Sequence, residues 1–353
     1  MSAHEKHYAS LFARRPGRLR GAAALISAVA STACSEPASA PLDAGSTVVD
    51  TGHPPDQGPP KQVVGGFSIA VPAEVLASGD ETHPCYIFPL ELEGPSRIVG
   101  GGKLVVGAGM HHGNITARPK TGEGIRPCPA EAGGALQGEA VDVAKGGAVL
   151  FGSSTQFVGE EWTSFPEGMG YRIKEGFEIV ARMHFLNTSS SPVTVSPQYE
   201  WFTIDEASVT EELGPFAWAL GGFAIPPLST HTAQASCALL GPMQVVNVLP
   251  HMHALGTNFF AEHEGGPHDG ERFLDSAGYD PDNGVMTQYT PAVDLAETER
   301  FVFGCTWKNT FDKEIVEGTG DNEMCILFGY GYPPEHAYSA TANPQGCVAV
   351  APP

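Results

Sequence analysis

No window of fifteen residues in this chain keeps an apolar stripe at the 3.6-residue period of a helix. Apolar residues come instead as short β-branched and aromatic runs cut by Gly, Pro, Asn and Asp. The clearest are 86–93 (YIFPLELE), Phe177–Leu186 (FEIVARMHFL), 193–204 (VTVSPQYEWFTI), 243–249 (MQVVNVL), 300–307 (RFVFGCTW) and 325–330. In Phe177–Leu186 the odd-numbered positions from Phe177 to Phe185 are apolar, while Glu178, Arg182 and His184 share the other face, which is the two-residue period of a strand. The 43 glycines and 30 prolines supply turns between such strands. The pattern predicts an all-β chain built from antiparallel β-sandwiches. A length of 353 residues is enough for two domains, and the acidic stretch 205–214 (DEASVTEELG) marks a boundary between halves at 63–209 and 210–353.

Charge narrows the partners. Forty Asp and Glu against 19 Lys and Arg give a formal charge of −21, which argues against nucleic acid because phosphate contacts need basic surface. Five of the basic residues, Lys6, Arg14, Arg15, Arg18 and Arg20, precede an apolar run at 21–33 that is too short to span a bilayer. Residues 1–33 therefore read as a signal peptide, and the exported remainder is more acidic than the whole. The run ends in Ser31-Thr32-Ala33-Cys34, which resembles a bacterial lipoprotein cleavage box with Cys34 as the lipidated residue; ordinary cleavage after a small residue is the alternative. Residues 34–62, rich in Pro, Ser, Gly and Asp, read as a flexible tether. The expectation is an exported, membrane-anchored lipoprotein on the periplasmic or surface face of the bacterial cell envelope. Its only membrane contact is a lipid at Cys34, and no protein partner is evident.

The thirteen histidines carry the chemistry. Those at 4, 7 and 53 fall in the signal or tether, and His83, His231, His263, His268 and His336 stand isolated in polar, turn-like contexts. The others cluster. In a strand, His251 and His253 point to the same face and offer two imidazoles to one metal. His111 and His112 are neighbours and would point to opposite faces of a regular strand. They can share a metal only at a strand end or bulge, which Gly107, Gly109 and Gly113 permit. Met324 lies in an acidic turn before a strand, where core packing is the ordinary role of a methionine. The segment 280–284 (DPDNG) is one residue short of a calcium loop, has no Glu at the required offset, and reads as a turn.

Taken in order, Met110-His111-His112, His184 within RMHFLN, His251-x-His253 with Gly256, and Asp321-Asn322-Glu323-Met324-Cys325 resemble the copper type II, ascorbate-dependent monooxygenases. That family includes peptidylglycine α-hydroxylating monooxygenase and dopamine β-monooxygenase. The resemblance spans about residues 66–350. It implies two jelly-roll-like β-sandwich domains packed with a cleft between two copper sites. His111, His112 and His184 would hold one copper; His251, His253 and Met324 would hold the other, catalytic one. The implied cofactors are two copper ions per chain, with ascorbate or an equivalent reductant as co-substrate, and the implied partners are O2 and a small molecule whose C–H bond is hydroxylated. Thioether sulfur favours Cu(I) and imidazole suits both oxidation states, so the donor types agree with that chemistry.

The resemblance also implies cysteine pairs. Cys237 with Cys347 takes the place of a bridge across the sandwich, and Cys305 with Cys325 that of one beside the methionine ligand, which leaves Cys85 with Cys128. Two departures stand out. The positions matching the peptide-binding side chains of relatives are Leu249, Ile326 and Phe328, all apolar, so an apolar or aromatic substrate is expected in place of a peptide carboxylate. Arg182 and Gly113 also differ from the residues usual in relatives. The competing readings are a non-catalytic copper-binding lipoprotein on the same fold, and a surface module whose histidines bind zinc or nothing. Met324 separates the last from the others, because zinc rarely takes a thioether.

Overall fold

The structure is a computed structural model describing residues 58–94, 97–129, 142, 147–152, 158–280, 286–318, 322–337 and 347–351. The signal at 1–33, Cys34, the tether as far as residue 57, most of the 280–284 turn and Asp321 lie outside the described residues. The last tether residues lie on the folded body: Ser164 donates to the Gly58 carbonyl at 2.6 Å, and Lys61 pairs with Glu167 at 2.6 Å.

The fold is an all-β sandwich. Among the described residues, three large sheets carry it, with nine, six and five strands. Phe177–Leu186 forms one strand over the predicted run. The run at 193–204 is two strands, Val193–Val195 and Gln198–Ile204, in different sheets. They part at Ser196-Pro197, where proline has no N–H to give to a ladder.

The acidic stretch at 205–214 is a short 3-10 turn, Glu206–Ser208, followed by the strand Glu211–Ala219. That strand pairs parallel with Met169–Arg172 on one side and antiparallel with Ile326–Tyr332 on the other. It thereby joins strands of both halves into the single nine-stranded sheet.

Two cores lie against this sheet. One is drawn chiefly from 67–213, around Trp201, Tyr199, Phe151 and Phe185, and lies against the six-stranded sheet. The other, around Phe216, Phe259, Phe303 and Trp307, lies against the five-stranded sheet. A third, smaller apolar cluster of Ala217, Met324, Ile326 and Phe328, with Leu249, is joined by Val149 from the other half. Tyr330 reaches the same strand by donating its hydroxyl to the Val149 carbonyl.

Three disulfides place the folded body in an oxidising environment. Cys237–Cys347 joins neighbouring strands within the five-stranded sheet, so it does not cross the sandwich. Cys305–Cys325 ties that sheet to the residue preceding Ile326–Tyr332, and Cys85–Cys128 closes the edge of the six-stranded sheet. No helix among the described residues is long and apolar enough to cross a membrane.

Close backbone approach at the centre of the nine-stranded sheet requires Gly329, where a Cβ would fall on the Asn247 carbonyl oxygen and the Phe216 ring. Both obstacles are fixed, one by the ladder and one by the core. Gly329→Ala should therefore lower the unfolding free energy by about 2–3 kcal/mol, as measured by urea denaturation.

Candidate metal centres

The first cluster forms at a bulge. Met110–Pro119 and Phe177–Leu186 pair antiparallel, with His112 opposite His184 and Met110 opposite Phe185. His111 is the extra residue between those pairs, and the register shift turns it towards its neighbours. Its Nδ1 lies 2.9 Å from Nδ1 of His112, and the His184 ring centroid is 4.5 and 4.8 Å from theirs. The three histidines can each present a ring nitrogen within 4.8 Å of the others. Nε2 of His184 is 2.7 Å from Glu81 Oε1, so it carries the hydrogen of a neutral ring and leaves Nδ1 as the lone pair offered to a metal.

The polar face that leads to this cluster is buried. Glu178 accepts from Arg118 and Arg126, at 3.0 and 2.6 Å. Arg182 pairs with Asp142 at 2.9 Å and donates to Thr116 at 3.0 Å. Charge on this face is thus matched by charge, and the histidines lie at its end.

The second cluster follows from strand register. Gln244–His251 pairs antiparallel with Ile326–Tyr332, placing Leu249 opposite Phe328 and His251 opposite Ile326. The ladder ends at His251, two residues short of His253 in the expected His251-x-His253 strand. Were the ladder continued by two residues, its register would set His253 level with Met324. The His251 and His253 rings are 5.3 Å apart and nearly perpendicular. Leu249, Met324, Ile326 and Phe328 meet in the small apolar cluster.

Glu323, the acid before Met324, holds His253 beyond the end of the ladder. Its carboxylate accepts from the backbone N–H of His253 at 2.9 Å, that of Leu255 at 2.7 Å, and Trp307 Nε1 at 3.0 Å. It is 1% exposed, and burial raises its pKa against the pull of those donors. His253 Nδ1 donates to the Asn322 carbonyl at 2.7 Å, which leaves Nε2 as the lone-pair nitrogen. Nε2 of His253 and Nε2 of His251 are both buried without a hydrogen-bond partner. Two buried imidazole nitrogens without partners, next to an apolar cluster that contains Met324, fit a soft or borderline metal ion such as copper.

The two clusters face each other across the junction of the halves. The charge of His112 reaches His251, and that of His253 reaches His112. A Cβ at Gly152 would stand 2.7 Å from Leu249 Cδ2, so the two halves meet there at van der Waals distance. Beside the junction lies a cavity whose walls include Val149, Phe151, Trp201, Leu249, Phe328 and Tyr330.

Of the five histidines expected to stand alone, His83 does not: its ring stacks on His184 at 4.1 Å. The separation in sequence hid this contact. His263 bonds Thr298 at 2.7 Å, and His336 bonds the Pro242 carbonyl at 2.6 Å, both ordinary structural roles.

No family model matches this chain, and no curated protein does. Among solved structures, it is similar to the major capsid protein P2 of bacteriophage PM2, at 10% identity, a TM-score of 0.29, and coverage of 75% of this chain and 97% of that one. A T=1 particle protein derived from infectious bursal virus is 10% identical, with a TM-score of 0.19 and coverage of 82% and 74%. Likeness at this level carries no functional inference.

Burial, and then the charge of His184 and His111, lowers the His112 pKa from 6.5 to about 3; burial and His253 push His251 well down too. The unfolded chain takes up protons near pH 6.5 that the folded chain refuses, so lowering the pH favours unfolding. Stability of the metal-free protein should fall as pH drops from 6.5 towards 3. Urea unfolding at pH 7 and pH 4.5 should show a smaller drop for His112→Phe than for the natural chain. Glu323→Gln, by loosening His253, should weaken metal binding at the second cluster about 10–100-fold in competition titrations and leave the first cluster's affinity unchanged.

Proposed function

We propose that this chain is an exported copper-dependent monooxygenase that hydroxylates a C–H bond of a small apolar or aromatic substrate, using O2 and a one-electron reductant such as ascorbate. The observation that carries the reading is the pair of buried, partnerless Nε2 atoms of His251 and His253, near the apolar cluster that holds Met324, in a chain that also gathers His111, His112 and His184. A single structural zinc explains neither the thioether nor the second cluster.

His251, His253 and Met324 would hold one copper, and His111, His112 and His184 the other. Bound there, copper supplies O2 activation and the one-electron steps of the reaction. The chain supplies the rest. Nδ1 of His253, fixed on the Asn322 carbonyl, keeps Nε2 as the ligand atom. Burial keeps His112 and His251 neutral, and so able to ligate, well into the acidic range. Leu249, Ile326 and Phe328 line the approach with hydrocarbon, which excludes water and favours an apolar substrate over a carboxylate. A lipid on Cys34 and the tether behind it would hold the body at the envelope.

Metal analysis together with reductant-dependent O2 uptake tests the reading. Two coppers per chain, with uptake stimulated by apolar C–H donors, is the expected result. Met324→Ala should lower turnover at least about 100-fold while copper stays at the three-histidine cluster. Full activity in that variant would sink the assignment. Two coppers with no turnover for any donor would favour a copper-binding protein.

A further inference from the structure

We propose that Glu81, His83 and His184 form a third cation site, at the surface, that captures Cu(II) and passes it to the cluster of His111, His112 and His184. The proposal rests on the copper reading above. Glu81 and Thr82 form a short edge strand against Leu186 and Phe185. Continuing that register by one residue sets His83 level with His184, and the two rings stack at 4.1 Å. By strand alternation Glu81 and His83 share a face. Glu81 Oε1 lies 2.7 Å from His184 Nε2 and 3.9 Å from His83 Nε2, and each of the three residues can bring one donor atom within 4.8 Å of the others.

The two donor sets differ in exposure and in chemistry. The side chains of Glu81 and His83 are 52% and 63% exposed, whereas that of His184 is 16% exposed. The outer set is therefore open to solvent and the inner one recessed, with His184 common to both. Two imidazoles and a carboxylate suit Cu(II), while a hard oxygen donor disfavours Cu(I); three imidazoles accept either state. A single carboxylate also brings a negative charge that speeds the encounter with a cation.

Sharing His184 makes occupancy of the two sites exclusive. A neutral imidazole has one lone pair. With the ring hydrogen on Nε2 and donated to Glu81, the lone pair at Nδ1 belongs to the inner site. With the hydrogen on Nδ1, the lone pair at Nε2 belongs to the outer one. Passing the ion inward therefore moves one proton from Nδ1 to Nε2 by way of solvent, and restores the bond to Glu81. No electron is exchanged and no other group is consumed. Glu81 thus has two roles in sequence: ligand during capture, and acceptor for the His184 N–H once the ion has moved.

The test is stopped-flow mixing of the metal-free chain with Cu(II), with samples frozen at intervals for electron paramagnetic resonance. The natural chain should show an early species with two nitrogen donors and one oxygen, replaced by one with three nitrogens. The double variant Glu81→Gln/His83→Ala should lack the early species and fill the inner site about tenfold more slowly, yet still reach two coppers per chain. Both residues are exposed, so equal unfolding midpoints for the two proteins are expected as a control. Loading at the natural rate would overturn the proposal, and so would a loss of inner-site affinity at unchanged rate, since that would make Glu81 solely a positioning residue for His184. Absence of copper from the three-histidine cluster of the natural chain would overturn the proposed function and this inference with it.

Discussion

The pairing of Gln244–His251 with Ile326–Tyr332 sets the position of every side chain in the second cluster. Because side chains alternate with a period of two, a slip of one residue in this ladder would send His251 and Leu249 to the face opposite Ile326 and Phe328. Several independent contacts guard against such a slip. Gly329 admits the Phe216 ring in this register, the Tyr330 N–H donates to Asn247 Oδ1 at 3.1 Å, and Cys305–Cys325 pins the residue after Met324. Glu323 then extends the alignment beyond the last ladder bond, through two backbone N–H groups and the Trp307 indole. The three-histidine cluster uses the opposite device, a deliberate break in register at His111.

These constraints converge on the junction between the halves. The nine-stranded sheet passes through both, so the junction is built on a continuous hydrogen-bonded surface. The contacts of Leu249 with the Gly152 backbone and of Tyr330 with the Val149 carbonyl fix the face of one cluster towards the other. Burial holds His112 and His251 neutral at this junction, which is the protonation state a metal requires.

Much of this was legible in the sequence, because strand alternation is a local property. The run of Phe177–Leu186, the shared face of His251 and His253, and the need for a bulge at His111-His112 all follow from the two-residue period and from glycine. What the sequence did not disclose depends on residues far apart in the chain. His83 stands alone in sequence, and only the edge strand at Glu81–Thr82 brings it onto His184, about a hundred residues later. Glu323 looks like one acid in an acidic turn; its burial and its three donors come from Trp307 and the loop after His251. The charged face of Phe177–Leu186 looks solvent-exposed until Arg118, Arg126 and Asp142 close over Glu178 and Arg182. Ser196-Pro197 divides a run that hydrophobicity alone left continuous.

The proposed function requires two copper sites, one with a thioether ligand and the other with imidazole alone. X-ray absorption at the copper edge of the Cu(I)-loaded protein tests this directly. The account predicts one sulfur scatterer for every two coppers, with nitrogen in the remaining shells, and loss of the sulfur in Met324→Ala. A Cu(I) spectrum of the natural chain with no sulfur contribution would contradict it.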